Sequence, residues 1–147
     1  IVVAGPTATG KTDLAIALAL AIRAAGRRAD VISADSRQVY RGLDVGTAKP
    51  TRRERALVPH HGLDLVAPGE RYSAGRFARD AESWVADAWA RGRMPVVVGG
   101  TGLYVRALAD KGWERATRED PALAAGVNVA GGRIVHPAVA RDLGIVA

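Results

Sequence analysis

The chain has 147 residues, of which 48% are hydrophobic and 24% charged, and its formal net charge is +6. A chain of this length and composition can bury a core, which excludes a disordered protein, and no apolar run approaches the roughly 20 residues that span a bilayer. The sequence contains no cysteine, which excludes disulfides and thiolate metal sites. We therefore expect a single folded domain in the reducing cytoplasm, with no membrane partner. The arginine-rich charge favours a polyanionic partner such as RNA, although the same arginines could simply solvate a surface.

Strand-like and helix-like segments alternate along the chain. The predicted strands are residues 1–4, 30–33, 63–66 and 95–98, and the predicted helices are 11–25, 52–57, 73–91 and 103–110. Gly26 is expected to end the helix 11–25. Ser73 is a suitable N-cap for the helix 73–91, and Gly92 is expected to end it. The run 95–98 is uninterruptedly apolar, which is typical of a strand covered on both faces. This alternation predicts an α/β protein with a parallel sheet flanked by helices.

A phosphate-binding loop follows the first strand. Residues 5–12 satisfy the pattern GxxxxGK[ST], and the motif has the strand before it and the helix after it that the function requires. The backbone N–H groups of such a loop point at phosphate oxygens, the lysine reaches the terminal phosphate, and the threonine hydroxyl can bind Mg²⁺. The predicted diphosphate- or nucleotide-binding residues are Gly5, Pro6, Thr7, Ala8, Thr9, Gly10, Lys11 and Thr12, with Thr12 as the Mg²⁺ ligand.

The motif does not identify the phosphate donor. A nucleoside triphosphatase usually has an acidic residue at the end of a second apolar strand, but the strand 95–98 ends in Gly-Gly-Thr-Gly. The carboxylate at a strand end is Asp35, which the sheet should bring near the loop as a base or metal ligand. The alternative for Asp35 is a turn or helix cap. A small-molecule kinase or ATP-binding module remains an alternative for the whole chain.

Several further motifs share one order and spacing. They are ISADSRQVY at 32–40, DVGTAKP at 44–50, PHH at 59–61, YSA at 72–74 and GGTGLY at 99–104. Together with the phosphate loop, they resemble the tRNA dimethylallyltransferase family over residues 1–108. The resemblance implies a P-loop NTPase-like fold and transfer of a dimethylallyl group from its diphosphate, with Mg²⁺, to the exocyclic amine of an adenosine beside the tRNA anticodon.

The resemblance also assigns roles to residues. It implies catalytic roles for Asp35 as the base, Lys11 and Thr101, and contacts to the anticodon arm of tRNA from Asp35, Ser36, Arg37, Gln38 and Thr101. Arg37 and Lys49 could hold phosphates, or they could be surface charges. For His60 and His61 we favour a structural role over a metal pair, and for Trp84 and Trp89 core packing.

The tail has a different character. Members of the family are longer. The segments KGWER at 111–115, DPAL at 120–123, GVNV at 126–129 and HPAVA at 136–140 resemble the C-terminal end of alanine dehydrogenase, a match that covers residues 108–144. In this tail we predict a short helix that begins at Asp120-Pro121, a hairpin at 127–135 and a short helix at 137–143. The sequence therefore predicts a truncated P-loop half at 1–108 and a short irregular α/β tail at 109–147. An inactive remnant that binds diphosphate is a second alternative.

Overall fold

The computed structural model describes residues 1–6 and 8–119. Within them the chain forms strands and helices in the order β1 (Val2–Ala4), α1 (Lys11–Ala24), β2 (Arg28–Ser33), α2 (Arg52–Leu57), β3 (His60–His61), α3 (Ala74–Ala90), β4 (Arg93–Gly99) and α4 (Gly102–Glu119). The residues Ile1–Gly112 form one compact unit, and a second unit begins at Trp113, inside α4. The division predicted at residue 108 stays a prediction.

The described strands form one four-stranded sheet with the order β1-β4-β2-β3. Every pairing is parallel, and the central pair runs in register from Arg28 opposite Arg93 to Ser33 opposite Val98. Because all the strands point the same way, the segments that follow β1, β2 and β4 emerge at one edge of the sheet. That edge carries the phosphate loop, the segment beginning at Ala34 and the Gly-Gly-Thr-Gly turn.

The sheet is covered on both faces, as the apolar run of β4 predicts. One core contains Ala15, Ile16 and Ala19 of α1 packed on Val31 and Val96. The other core is lined by Ile32, Val39, Val66, Tyr72, Phe77, Ala81, Val97 and Tyr104, and it joins α3 and α4 to the sheet. The predicted fold class, a parallel sheet flanked by helices, is confirmed.

Local signals set most of the helix ends. The Ser73 hydroxyl accepts a hydrogen bond from the Arg76 N–H and caps α3, as predicted. The helix α2 begins at a capping box in which Thr51 and Glu54 bond to each other's backbone N–H. Gly26 and Gly92 follow α1 and α3 with φ of 79° and 65°, a conformation that glycine adopts without strain.

Three predictions about the elements are wrong. Residues 63–66 do not form a strand; the third strand is His60–His61, and beyond it Gly62 and Asp64 adopt φ of 81° and 56°, which breaks the extended backbone. The helix predicted to end at 110 continues to Glu119. Trp84 is half-buried and packs against the core, in agreement with the prediction, but Trp89 is 42% exposed. The predicted helices and hairpin of the tail lie outside the described residues.

Candidate phosphate-binding site

The phosphate loop joins the end of β1 to the start of α1. Gly10 is the N-cap of α1, with φ of 74°. Because glycine has no side chain, it does not bond the N–H groups of the first helical turn. The first N–H groups of a helix have no partner within the helix, so those at the start of α1 can bind an anion, which the helix dipole also favours. Ala8 has φ of 63°, which shows that the loop bends through a left-handed turn before the helix.

The charged group of the loop is Lys11. Its Nζ donates to the Pro6 carbonyl and lies 3.4 Å from Thr9 Oγ1, which itself donates to the Pro6 carbonyl at 2.9 Å. These partners are all oxygens of the loop, so the ammonium lies over the loop and needs no large movement to meet a phosphate bound there. Thr12 follows it in the first turn of α1.

A cavity of about 360 Å³ brings the loop together with the ends of β2 and β4. From the loop and the first turn of α1 it is lined by Ala8, Thr9, Gly10, Lys11, Thr12 and Asp13. From the rest of the chain it is lined by Val31, Ser33, Asp35, Gln38, Thr47, Ala48, Lys49, Pro50, Glu54, His60, Val98, Gly99 and Gly100. The structure therefore brings Asp35 to the same cavity as Lys11 and Thr12, although these residues are distant in sequence.

Asp35 uses one carboxylate oxygen for structure. Its Oδ1 accepts hydrogen bonds from the N–H groups of Arg37 at 2.8 Å and Gln38 at 3.3 Å. This is the turn-capping role that the sequence left as the alternative. Its Oδ2 has no hydrogen-bond partner in the part of the chain that the structure describes. One oxygen can therefore fix the direction of the carboxylate while the other remains available to accept a proton or bind a metal. The two predicted roles of Asp35, a turn cap and a base or metal ligand, are compatible.

The turn that begins at Asp35 is attached to the end of β4. The Ser36 N–H donates to Thr101 Oγ1 at 3.0 Å, and the two hydroxyls lie 3.3 Å apart. A Cβ on Gly99 would lie 2.2 Å from the Ala34 carbonyl oxygen, which is closer than atoms can approach. Only glycine fits there, and this close approach brings Thr101 against Ser36.

Gln38 and Lys49 are buried rather than exposed. Gln38 is 8% exposed; its Oε1 accepts from the Ser33 hydroxyl, and its Nε2 donates to the Thr47 and Ala48 carbonyls. The Lys49 side chain is fully buried, with its Nζ bonded to the Tyr40 carbonyl, Asp64 and Asp44. The prediction that Lys49 holds a substrate phosphate or is a surface charge is wrong, because its three donors already have protein acceptors. Arg37 is exposed.

The two histidines lie in β3. His60 Nδ1 lies 2.7 Å from the Val58 carbonyl, and burial lowers the pKa of its ring, so the neutral form is favoured. His61 stacks on Trp84 and lies 3.3 Å from the buried Asp30, which also binds Arg93. No group of three His, Asp or Glu side chains within the described ranges is arranged to hold a metal. The His61 contacts agree with a structural role. His60 lines the cavity, and its buried Nε2 has no hydrogen-bond partner among the described residues, so its role stays a prediction.

No role was predicted for Asp64, which binds Lys49, or for Asp13 and Glu54, which line the cavity. Asp64 lies within an apolar run that favours a strand, so nothing in the sequence pattern marks it as a partner of Lys49. Glu54 was detectable, because Thr51 and Glu54 have the spacing of a capping box. The Glu54 carboxylate accepts hydrogen bonds from the Thr51 hydroxyl, which has the larger effect, and from the Thr51 N–H. Both bonds lower the pKa of Glu54, so this residue lines the cavity as an anion.

The fold and the site together define a class: an α/β protein whose P-loop shares a cavity with a carboxylate at the end of a neighbouring strand. The IPP transferase family model matches residues 38–137, and an isopentenyl transferase model matches residues 1–58. The chain belongs to the IPP transferase family. No helix among the described residues is both long and apolar enough to cross a bilayer.

Relatives and solved structures agree with this assignment. The chain is 57% identical over 146 residues to a tRNA dimethylallyltransferase of Anaeromyxobacter sp. (strain K), covering 99% of the chain and 46% of the relative. It resembles the full-length tRNA isopentenylpyrophosphate transferase of Bacillus halodurans with a TM-score of 0.67 and 34% identity, over 86% of the chain and 49% of that protein. A eukaryotic dimethylallyltransferase acting on tRNA gives a TM-score of 0.66 and 37% identity, over 73% of the chain and 25% of that protein.

These matches correct the interpretation of the tail. The Anaeromyxobacter relative aligns with 146 residues of the chain, and the IPP transferase model extends to residue 137. The resemblance of residues 108–144 to alanine dehydrogenase is therefore not supported, since the tail aligns with the same family as the rest. The chain spans about half the length of the curated relatives that it matches.

Proposed function

We propose that this chain carries the diphosphate-binding part of a tRNA dimethylallyltransferase. The reaction moves a dimethylallyl group from dimethylallyl diphosphate to the exocyclic amine of an adenosine next to the anticodon. The allylic C–O bond breaks, a C–N bond forms, and diphosphate leaves. The main observation that supports the proposal is that the P-loop and Asp35 line the same cavity.

In this proposal the P-loop, Gly5 to Thr12, holds the diphosphate of the donor. Backbone N–H groups at the start of α1 and the Lys11 ammonium neutralise the charge that develops on the leaving diphosphate. Mg²⁺ suits the oxygen donors here: the Thr12 hydroxyl would be its protein ligand, and diphosphate oxygens and water would complete its coordination. When bound, the ion would supply further stabilisation of the leaving group.

Asp35 serves as the base. An exocyclic amine becomes more acidic as it attacks carbon, and a positioned carboxylate can accept the proton that it loses. The Oδ1 bonds to the turn fix the carboxylate's direction, and Oδ2 would receive the proton. Because diphosphate and amine must both be near the allylic carbon, a base in the same cavity as the P-loop suits this transfer.

The turn from Asp35 to Gln38 and the neighbouring Thr101 would form the tRNA contact. Arg37 is exposed beside the cavity and can pair with a phosphate. Ser36 and Thr101 already share hydrogen bonds, and their hydroxyls can contact the target nucleotide together. Gln38 would contribute by holding the turn from inside. The target base must be unstacked to reach Asp35, as in other base-modifying enzymes. The cytoplasmic location and the 1–108 and 109–147 domains remain predictions.

Ligand titration tests the proposal directly. Calorimetry of the 147-residue chain with Mg²⁺ should give tighter binding of dimethylallyl diphosphate and inorganic pyrophosphate than of ATP. An anticodon stem-loop with adenosine after the anticodon should then acquire one dimethylallyl group. Phosphoryl transfer from ATP to a small molecule would identify a kinase instead. Diphosphate binding without prenylation would instead support the second alternative, an inactive remnant that binds diphosphate.

A further inference from the structure

One wall of the phosphate cavity is a short irregular segment. Thr47, Ala48, Lys49 and Pro50, which we call the wall segment, all line the cavity. The segment is not a strand or helix, and Ala48 has φ of 48°, which is unusual for a residue other than glycine. The residues just before it, 41–46, are all exposed, and Val45 is 97% exposed. The N–H groups of Ala48 and Lys49 donate to the Val45 and Asp44 carbonyls, which belong to this exposed stretch, so side-chain contacts attach the wall segment to the buried part of the fold.

Gln38 supplies the first of these contacts. Its amide nitrogen donates to the Thr47 and Ala48 carbonyls at 3.1 and 3.2 Å. Because the same side chain accepts from the Ser33 hydroxyl at 2.8 Å, it links the wall segment to the end of β2. The buried Gln38 amide is costly to displace because each hydrogen bond that breaks would leave a polar group without a partner.

Lys49 supplies the second contact. Its Nζ lies 2.7 Å from Asp64 Oδ1, 2.9 Å from Asp44 Oδ1 and 2.7 Å from the Tyr40 carbonyl. A fully buried ammonium is stable only when its charge and its donors are matched, so these three acceptors determine where the side chain can lie. The backbone on both sides of Lys49 is held with it.

Asp64 connects the wall segment to the rest of the fold. Its Oδ2 accepts from Arg55 Nη1 at 2.6 Å, and the Arg55 Nε donates to the Pro50 carbonyl at 2.9 Å. Its N–H donates to the Gln38 carbonyl. Burial raises the pKa of the Asp64 carboxyl, but the hydrogen bonds and charges of Lys49 and Arg55 outweigh burial, and the pKa lies below its ordinary value.

We infer that Lys49 and Asp64 are positioning residues that hold the wall segment in place and thereby set the affinity of the cavity for a diphosphate. The inference rests on the proposed function for the identity of the ligand. Neither residue contacts the reacting atoms in this scheme. Lys49 acts through its own backbone within the wall segment, and Asp64 acts through Lys49 and through Arg55, which holds the Pro50 carbonyl. A phosphate-binding residue would instead leave its charge open to the cavity, whereas the Lys49 charge is fully used by protein acceptors.

The test uses Asp64→Asn. Asparagine has the same shape and tolerates positive φ, so the turn can form, while the ion pairs with Lys49 and Arg55 are lost. Without ligand, amide hydrogen exchange at Thr47, Ala48 and Lys49, the residues of the wall segment that have an N–H, should accelerate roughly 5- to 30-fold, and exchange in α1 and β4 should not change. The Kd for inorganic pyrophosphate with Mg²⁺ should rise by a similar factor, when measured well below the midpoint of thermal unfolding.

The matched control is Asp87→Asn, which removes an exposed carboxylate paired with Arg91 on α3 and should change neither measurement. Unchanged exchange in the wall segment of Asp64→Asn would overturn the inference. Accelerated exchange with an unchanged Kd would also overturn it, because the contacts would then stabilise the loop without serving the ligand. If the unsubstituted chain fails to bind pyrophosphate, the proposed function fails, and the ligand role of the wall segment fails with it.

Discussion

Asp35 accepts a hydrogen bond on Oδ1 from the Arg37 N–H at 2.8 Å, so the proposed base also caps its own turn. The Gln38 N–H reaches the same oxygen at 3.3 Å. The second carboxylate oxygen has no such partner in the described part of the chain. Because the two oxygens have different environments, a substitution can remove the basic function and keep the capping function.

Asp35→Asn makes that separation. The asparagine carbonyl oxygen can still accept from the turn, so the midpoint of thermal unfolding should hardly change. Prenylation of an anticodon stem-loop should fall by about 10²- to 10⁴-fold, the usual contribution of general base catalysis. Asp35→Ala should lose activity to a similar extent and also about 1 kcal/mol of stability, because the turn loses its acceptor. Full turnover by Asp35→Asn would remove the carboxylate from the mechanism.

Lys11→Met tests the phosphate loop. Among the described residues, the hydrogen bonds of the Lys11 ammonium go to oxygens of its own exposed loop, so its loss should change stability little. A charge-assisted bond to phosphate typically contributes about 1.5–3 kcal/mol, so the Kd for pyrophosphate should rise about 10- to 100-fold. Calorimetry measures this change. The control is Arg53→Ala, which removes an exposed cation from α2. An equal loss of affinity in both variants would indicate a general charge effect instead of a specific contact.

The sequence predicted elements well where the signals are local. The bounds of α2 are those predicted, and α3 begins after its predicted cap at Ser73, because caps and glycines act on adjacent residues. Grouping Asp35 with the P-loop was also predictable, since parallel strands end at one edge of the sheet. These inferences needed only the chain order and the strand directions.

Predictions failed where tertiary contacts decide the conformation. Residues 63–66 have the composition of a strand, but Asp64 turns to positive φ to meet Lys49 and Arg55, which lie 15 and 9 residues away. The same contacts bury Lys49, whose type and neighbours favour the surface. Short matches also misled the interpretation of the tail, where a comparison over 146 residues identifies one family throughout.

Gly99→Ala should disrupt the attachment of the Asp35 turn to β4. The added methyl would lie 2.2 Å from the Ala34 carbonyl oxygen and 2.5 Å from the Ala34 carbonyl carbon, both backbone atoms of the adjacent strand end. Relief requires the two strand ends to separate, so the free energy of unfolding should fall by at least about 2 kcal/mol. Urea denaturation measures the loss. Gly75→Ala is the matched control: it meets nothing within 4 Å at the start of α3 and should be neutral or stabilise by up to about 1 kcal/mol.

The pH dependence of stability should reveal the ion pairs of Asp64. Lys49 and Arg55 hold the pKa of Asp64 in the folded state below its value in the unfolded state. The ionised carboxylate therefore stabilises the fold in full at pH values above the ordinary aspartate pKa of about 4. That contribution is lost as the pH falls through the lowered folded pKa, where both states bind the proton. The difference in thermal midpoint between the unsubstituted chain and Asp64→Asn should therefore be largest at neutral pH and shrink below about pH 4.

Thermal scans between pH 3 and pH 7 measure this difference, with Asp87→Asn as the reference for an exposed pair. Because Asp87 and Arg91 are largely exposed, their pair should contribute at most about 0.5 kcal/mol, with little dependence on pH. If the Asp64→Asn difference stayed constant down to pH 3, the stabilisation would come from hydrogen bonding that asparagine cannot reproduce. The charge of Asp64 would then have no part in holding Lys49.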